Sequence, residues 1–273
     1  MSQNQNPLLP AEDLPIIDVH NHVFPDRIAR RAAESIRDYY DLPLKGDGTL
    51  ACLLASTGGY RLEHFVICSA AVKAEKVRTA NEFTAVQRAE DPRIIALGTT
   101  HAGVPDQVEV FRQIEAFGLS GVKIHPEFQG FAIDDPRLDE GWRQASRLKL
   151  PVLFHMGDTQ SDLSSPRRLY RVMEKHPNLT VIAAHMGGFM AKEEAQCLVG
   201  THCYFDTSQW HYYLSEAELV ERIERHGADK VLYGCDYPLN IPSEEIERLY
   251  AVPLPEDVKR AIFCGNAKRL FKL

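Results

Sequence analysis

The chain has 273 residues, 44% of them hydrophobic, with a formal net charge of −7. That length suits one large domain, and the acidic balance disfavours nucleic acid or an anionic membrane surface as partner, since both need a basic face. No run approaches the roughly 18 uninterrupted apolar residues that cross a bilayer, so the expectation is a soluble, cytoplasmic protein acting on a small molecule.

Residues 1–15, "MSQNQNPLLPAEDLP", are polar and proline-punctuated. With no basic stretch leading into an apolar core, they read as a flexible arm rather than a signal peptide. The first strand follows in "PIIDVHNHVF", where Asp18, His20 and His22 occupy alternate positions of an otherwise apolar run. Alternate side chains of a strand share a face, so two imidazoles there converge on one ion. A lone His-x-His is equally an ordinary pair at a strand edge, and the rest of the chain has to decide.

The interval to the second strand is long. It holds the helix-like "DRIARRAAESIRDYY", the glycine-containing "LKGDGTL" and a short helix around "ACLLAST", a segment expected to fold over the mouth of the structure as a partial lid. Apolar runs of strand length then recur as "HFVICSA", "RIIALGTT", "GVKIHP", "PVLFHMG", "TVIAAHMGG", "CYFDTS" and "KVLYGCDYP". Amphipathic helical stretches separate most of them, with Ser165-Pro166 opening one and Gly118 and Gly227 closing others.

Eight strands alternating with helices, most about 30 residues apart, predict a (β/α)8 TIM barrel over residues 16–273. A doubly wound open sheet is the competing topology. The six cysteines are scattered without a Cys-x-x-Cys pair and read as reduced.

In such a barrel the site lies at the C-terminal ends of the strands. Polar residues there are His20 and His22 on strand one, Lys123 and His125 on strand four, His155 on strand five, His185 on strand six and Asp236 on strand eight. "VLFHMG", "VIAAHMGG" and "VLYGCDYP" repeat one syntax: an apolar run, one ligand-type side chain, then small residues. Several nitrogen donors with one carboxylate form the ligand set of a catalytic divalent ion. Zinc is the first expectation, with manganese, iron and cobalt also suited, and one ion is favoured over two. His101, His125, Gln129, Trp210 and Tyr237 lie just past strand ends, and Arg167 opens a helix; these are weaker candidates for substrate binding, each equally a packing or capping residue.

The Asp18-x-His20-x-His22 signature, with His155, His185 and Asp236 in that order, resembles the amidohydrolase superfamily. The run from about Ile16 onward, including "GVKIHPEFQGFAIDDP" and "CGNAKRLFKL", is similar to its amidohydrolase-2 branch. The resemblance implies that His20, His22 and His155 bind the metal, and that Asp236 binds it or its water and shuttles a proton. It implies that His185 supports the water or a second ion, and that Lys123, if carboxylated, bridges two ions. Hydrolysis of an amide, ester or lactone is the first reading. Non-oxidative decarboxylation, or hydration, of a small unsaturated acid uses nearly the same side chains and is the alternative; a metal-free binding module is the second. A homodimer is a common default for such barrels, with no interface pattern visible.

Overall fold

The structure, a computed structural model, describes residues 14–273. The expected N-terminal arm falls outside those residues apart from its last two, of which Leu14 is buried. Strands β1 (Ile16–Asp18), β2 (Leu62–Ile67), β3 (Ile94–Ala96), β4 (Gly98–Thr99), β5 (Val122–Ile124), β6 (Val152–Phe154), β7 (Val181–Ala183), β8 (Tyr204–Asp206) and β9 (Val231–Leu232) are all parallel to their neighbours.

The third expected strand is divided into β3 and β4 at Leu97. β3 pairs with β2 while β4 pairs with β5, and Leu97 N–H still donates to Ile67 O at 3.0 Å. Gly98 sits where a Cβ would lie 2.9 Å from Leu119 Cδ1 and 3.1 Å from Asn81 Oδ1, so the division falls where these two side chains press on the strand. The ring is joined between its last and first strands by Val19 N–H to Tyr233 O at 2.9 Å and Asp236 N–H to His20 O at 2.8 Å. The fold is the TIM barrel that the alternation predicts.

Alternation sets the two cores. Ile17, Val19, Val66, Ile95, Leu153, Ile182 and Leu232 meet inside the ring, joined by Cys264 and Ala267 from the C-terminal helical segment. Their chain neighbours, such as Ile16, Phe65, Val152 and Phe205, face the helices. Between the outward Val122 and Ile124, Lys123 shares its register with the inward Leu153 and is fully buried.

The helices α1 (Asp26–Tyr40), α2 (Leu50–Ala55), α3 (Val77–Glu90), α4 (Gln107–Ala116), α5 (Pro126–Gln129), α6 (Asp139–Leu148), α7 (Pro166–Lys175) and α8 (Glu216–His226) lie between strands. Pro166 begins α7, where its missing N–H costs nothing, and a Ser215–Glu218 capping box begins α8. Between β7 and β8 only 3-10 turns form. His185, Met186, Gly187 and Met190 all have positive φ there, which no α-helix tolerates. α9 (Pro242–Ala251), α10 (Glu256–Arg260) and α11 (Asn266–Phe271) close the chain. All six cysteines are free, and no described helix is long and apolar enough to cross a membrane.

Candidate active site

The chain past β1 carries His20 and His22 on one side. Their Nε2 atoms are 3.3 Å apart, and both face Asp236 Oδ1, at 3.4 Å from His20 and 3.5 Å from His22. Asp18 accepts from the backbone N–H groups of His20 at 3.1 Å and Cys235 at 3.0 Å. It thereby ties the end of β1 to the segment that holds Asp236.

Donor atoms bound at 2.0–2.2 Å around one ion stand roughly 2.9–3.5 Å from one another. Nε2 of both histidines and Oδ1 of Asp236 meet that spacing, so these residues fit a divalent ion. Burial holds the imidazoles of His20, His22, His125 and His155 well below their ordinary range, helped at all four by the Lys123 charge; His185 is pushed down to about 3, chiefly by burial. Neutral imidazole is the form that binds metal. Burial raises Asp236 to about 7 against the pull of Lys123, and Gln209 donates to its Oδ2.

His155 and His185 form a second nitrogen pair, with His155 Nδ1 3.0 Å from His185 Nε2. His155 is not among the donors grouped with His20, His22 and Asp236; it groups with Glu127 and Asp158. Lys123 reaches His20 Nε2 at 2.8 Å, and burial lowers its ammonium's pKa.

A cavity of about 220 Å³ opens over this polar floor. Phe24, Ile36, Phe128, Phe189, Val72 and Leu239 supply its apolar wall, and His22, His125, His155, Gln209 and Asp236 its polar side. Helix α1 contributes Ala32, Ser35, Ile36 and Tyr40, which makes the long first interval a wall of the cavity, as expected of a lid.

Of the weaker substrate candidates, only His125 lines this cavity. Gln129 accepts from His125 N–H and donates to Ala71 O and Thr100 O, pinning loops together. Trp210 packs in the outer core. Tyr237 turns its hydroxyl to Thr49 O and Gly48 N–H, and holds the lid segment. His101 accepts from Gly103 N–H and lies edge-on to Phe131. Arg167 is exposed and faces Glu194 at 3.7 Å. For these five, position just past a strand or at a helix start does not fix the direction of the side chain.

Three contributors escaped the sequence reading. Asp206 Oδ2 stands 2.9 Å from His20 Nδ1, and Ser208 Oγ stands 2.8 Å from His185 Nδ1 while donating to Asp206. Both follow the seventh apolar run in "CYFDTS", where the rule used for the other strands would have found them. Tyr40 is the last residue of α1 and places its hydroxyl 3.0 Å from His155 Nε2 and 3.3 Å from His125 Nε2; no local sequence signal carries it there.

The amidohydrolase-2 family profile, described as amidohydrolase, matches residues 17–273. The chain belongs to the amidohydrolase family. Among solved structures, this amidohydrolase is similar to 5-carboxyvanillate decarboxylase from Sphingomonas paucimobilis, with 20% identity, a TM-score of 0.72 and coverage of 95% of this chain and 99% of that one. An uncharacterised TIM-barrel protein from Bordetella bronchiseptica gives 18%, 0.76, 95% and 99%. Dihydroxybenzoic acid decarboxylase from Polaromonas sp. JS666, with bound manganese and the inhibitor 2-nitroresorcinol, gives 18%, 0.71, 95% and 97%. At these identities the likeness is one of fold.

Proposed function

We propose that this amidohydrolase is a metal-dependent, non-oxidative decarboxylase of a small, planar unsaturated carboxylic acid. The observation that carries the reading is the aromatic-walled cavity ending on His22 and Asp236, lined among the described residues by no lysine or arginine. A carboxylate that loses carbon dioxide disperses its charge, so apolar walls favour the transition state over the solvated acid. The names of the aromatic-acid decarboxylases among the structural neighbours support this reading over the hydrolytic one.

His20, His22 and Asp236 would hold the divalent ion, with the His155–His185 pair beside them. Manganese is favoured over zinc by the ion in the Polaromonas neighbour. When bound, the ion supplies Lewis-acid polarisation of a substrate oxygen. The walls from Phe24, Phe128 and Phe189 orient the flat acid and exclude water. Asp236, protonated on the carboxyl oxygen that does not serve the ion, gives its proton to the carbon bearing the carboxylate. The bond to the carboxylate then breaks, its electron pair stays with the substrate carbon, carbon dioxide leaves, and Asp236 regains a proton from solvent.

Hydrolysis is the second reading, favoured by one observation. Lys123 lies against His20, and the nitrogens of His155 and His185 stand 3.0 Å apart, the residues that a two-ion hydrolytic relative would use with a carboxylated lysine. The manganese-loaded protein, assayed by proton NMR in D2O against a panel of aromatic acids and a panel of esters and lactones, tests the choice. Deuterium at the former carboxyl position supports the decarboxylase; turnover of esters or lactones alone overturns it.

A further inference from the structure

Among the described residues Tyr40 is the one phenol in the cavity wall, and its ring is fixed by edge-on contacts with Tyr39, Phe128 and Phe189. The hydrogen-bond pattern around it sets where its proton points. His155 Nε2 stands 3.0 Å from Gly157 O as well as from Tyr40 Oη. A carbonyl only accepts, so His155 carries its hydrogen on Nε2, and toward this nitrogen Tyr40 is an acceptor.

His125 has the opposite arrangement. Its Nδ1 faces Glu127 Oε2 at 3.7 Å, while Glu127 Oε1 is held by Ser164 N–H, Ser164 Oγ and Ser161 Oγ. The Glu127 side chain is 1% exposed; Glu127 Oε2 and His125 Nδ1 are buried without hydrogen-bond partners, and the negative charge of the carboxylate favours the His125 hydrogen on Nδ1. His125 Nε2 is then an acceptor, and the Tyr40 hydroxyl donates to it across 3.3 Å. Both groups line the cavity. Together they offer an incoming group one donor and one acceptor, which is the complement of a hydroxyl.

We propose that Tyr40, carried into the cavity by α1 and paired with His125, is a specificity-determining residue that binds a hydroxyl substituent of the acid. This rests on the decarboxylase reading, in which the carboxylate lies at the His20, His22 and Asp236 end. Replacing the contact between Tyr40 and His125 by two bonds to the substrate rewards the hydroxylated acid, and an acid without the hydroxyl leaves the pair as it was.

The test is titration calorimetry of the manganese-loaded protein with benzoate and with 2-, 3- and 4-hydroxybenzoate. The wild type is expected to bind one hydroxybenzoate isomer about tenfold more tightly than benzoate, and Y40F, whose ring contacts are kept, to bring that ratio to about one. A ratio unchanged in Y40F, or no preference in the wild type, overturns the role of Tyr40 and leaves the decarboxylase reading standing. Failure of the wild type to bind any of the four acids removes that reading and this inference with it. Should Y40F fail to fold, E127Q keeps the Tyr40 ring and releases the His125 hydrogen; a several-fold fall in the ratio is expected, and an unchanged ratio overturns the inference.

Discussion

His20 Nδ1 and Asp206 Oδ2 are 2.9 Å apart, both side chains fully buried. The carboxylate holds the His20 hydrogen on Nδ1 and leaves the Nε2 lone pair facing His22 and Asp236. Asp206 Oδ1 is in turn anchored by the backbone N–H groups of His185 and Ser208, each at 3.0 Å. One side chain from β8 therefore sets the orientation of a metal-ligand candidate just past β1. D206N keeps the shape and loses the charge; metal affinity is expected to fall by about 10–100-fold, read by competition with a chelator, while the fold is retained.

Asp236 is expected to matter for turnover more than for folding. In D236N the amide oxygen still serves the ion and the amide still fits beside Gln209, but no proton can be given to substrate. Decarboxylation should fall by about 10²–10⁴-fold with a melting temperature close to that of the wild type. Steady-state kinetics with thermal denaturation checks this, and a normally active variant refutes the proton-transfer role.

Gly157 follows His155 and Met156 with φ +78°, and a Cβ there would lie 2.4 Å from Phe189 O, a backbone atom. Neither the torsion nor the space admits a side chain. G157A is expected to lose about 2 kcal/mol or more of stability, and to displace Phe189 from the cavity wall. Denaturant unfolding measures the first effect, and weakened binding of benzoate the second.

The acid limb of stability should carry a signature of His226. Its Nε2 lies 2.9 Å from Cys203 O, and its Nδ1 accepts from Gly200 N–H at 3.1 Å. Burial lowers its pKa to about 4, against about 6.5 in the unfolded chain. Between those values the unfolded state binds more protons, so the stabilisation is present above pH 6.5 and is lost as pH falls toward 4. The loss is on the order of 3 kcal/mol. H226Q preserves both hydrogen bonds without titrating; its stability, measured in urea from pH 7 to 4.5, should fall less steeply than that of the wild type, and parallel curves would contradict this.

The barrel was legible because its signals are local and periodic. Each apolar run became a strand or, at Leu97, two, and "DRIARRAAESIRDYY" became α1 residue for residue. His20, His22 and Asp236 carry the same kind of local signal, ligand-type side chains just past apolar runs, and the structure brings the three together. Asp206 and Ser208 were equally available in "YFDTS" but carry no imidazole to draw notice. Tyr40 was beyond reach, since its place depends on how α1 crosses the barrel mouth, a contact between residues 85 and 115 positions apart in the chain. Tyr237, past β9, and Gln129, at the end of α5, turn toward backbone groups of neighbouring loops, a choice set by tertiary hydrogen bonds that no spacing encodes.

The claim on which everything else depends is that His20, His22 and Asp236 hold a divalent ion. Inductively coupled plasma mass spectrometry on the protein produced with ample manganese and zinc, beside H20A prepared identically, tests it. At least one ion per wild-type chain is expected, and its loss in H20A. A wild type free of metal, or an H20A protein with undiminished content, would contradict it.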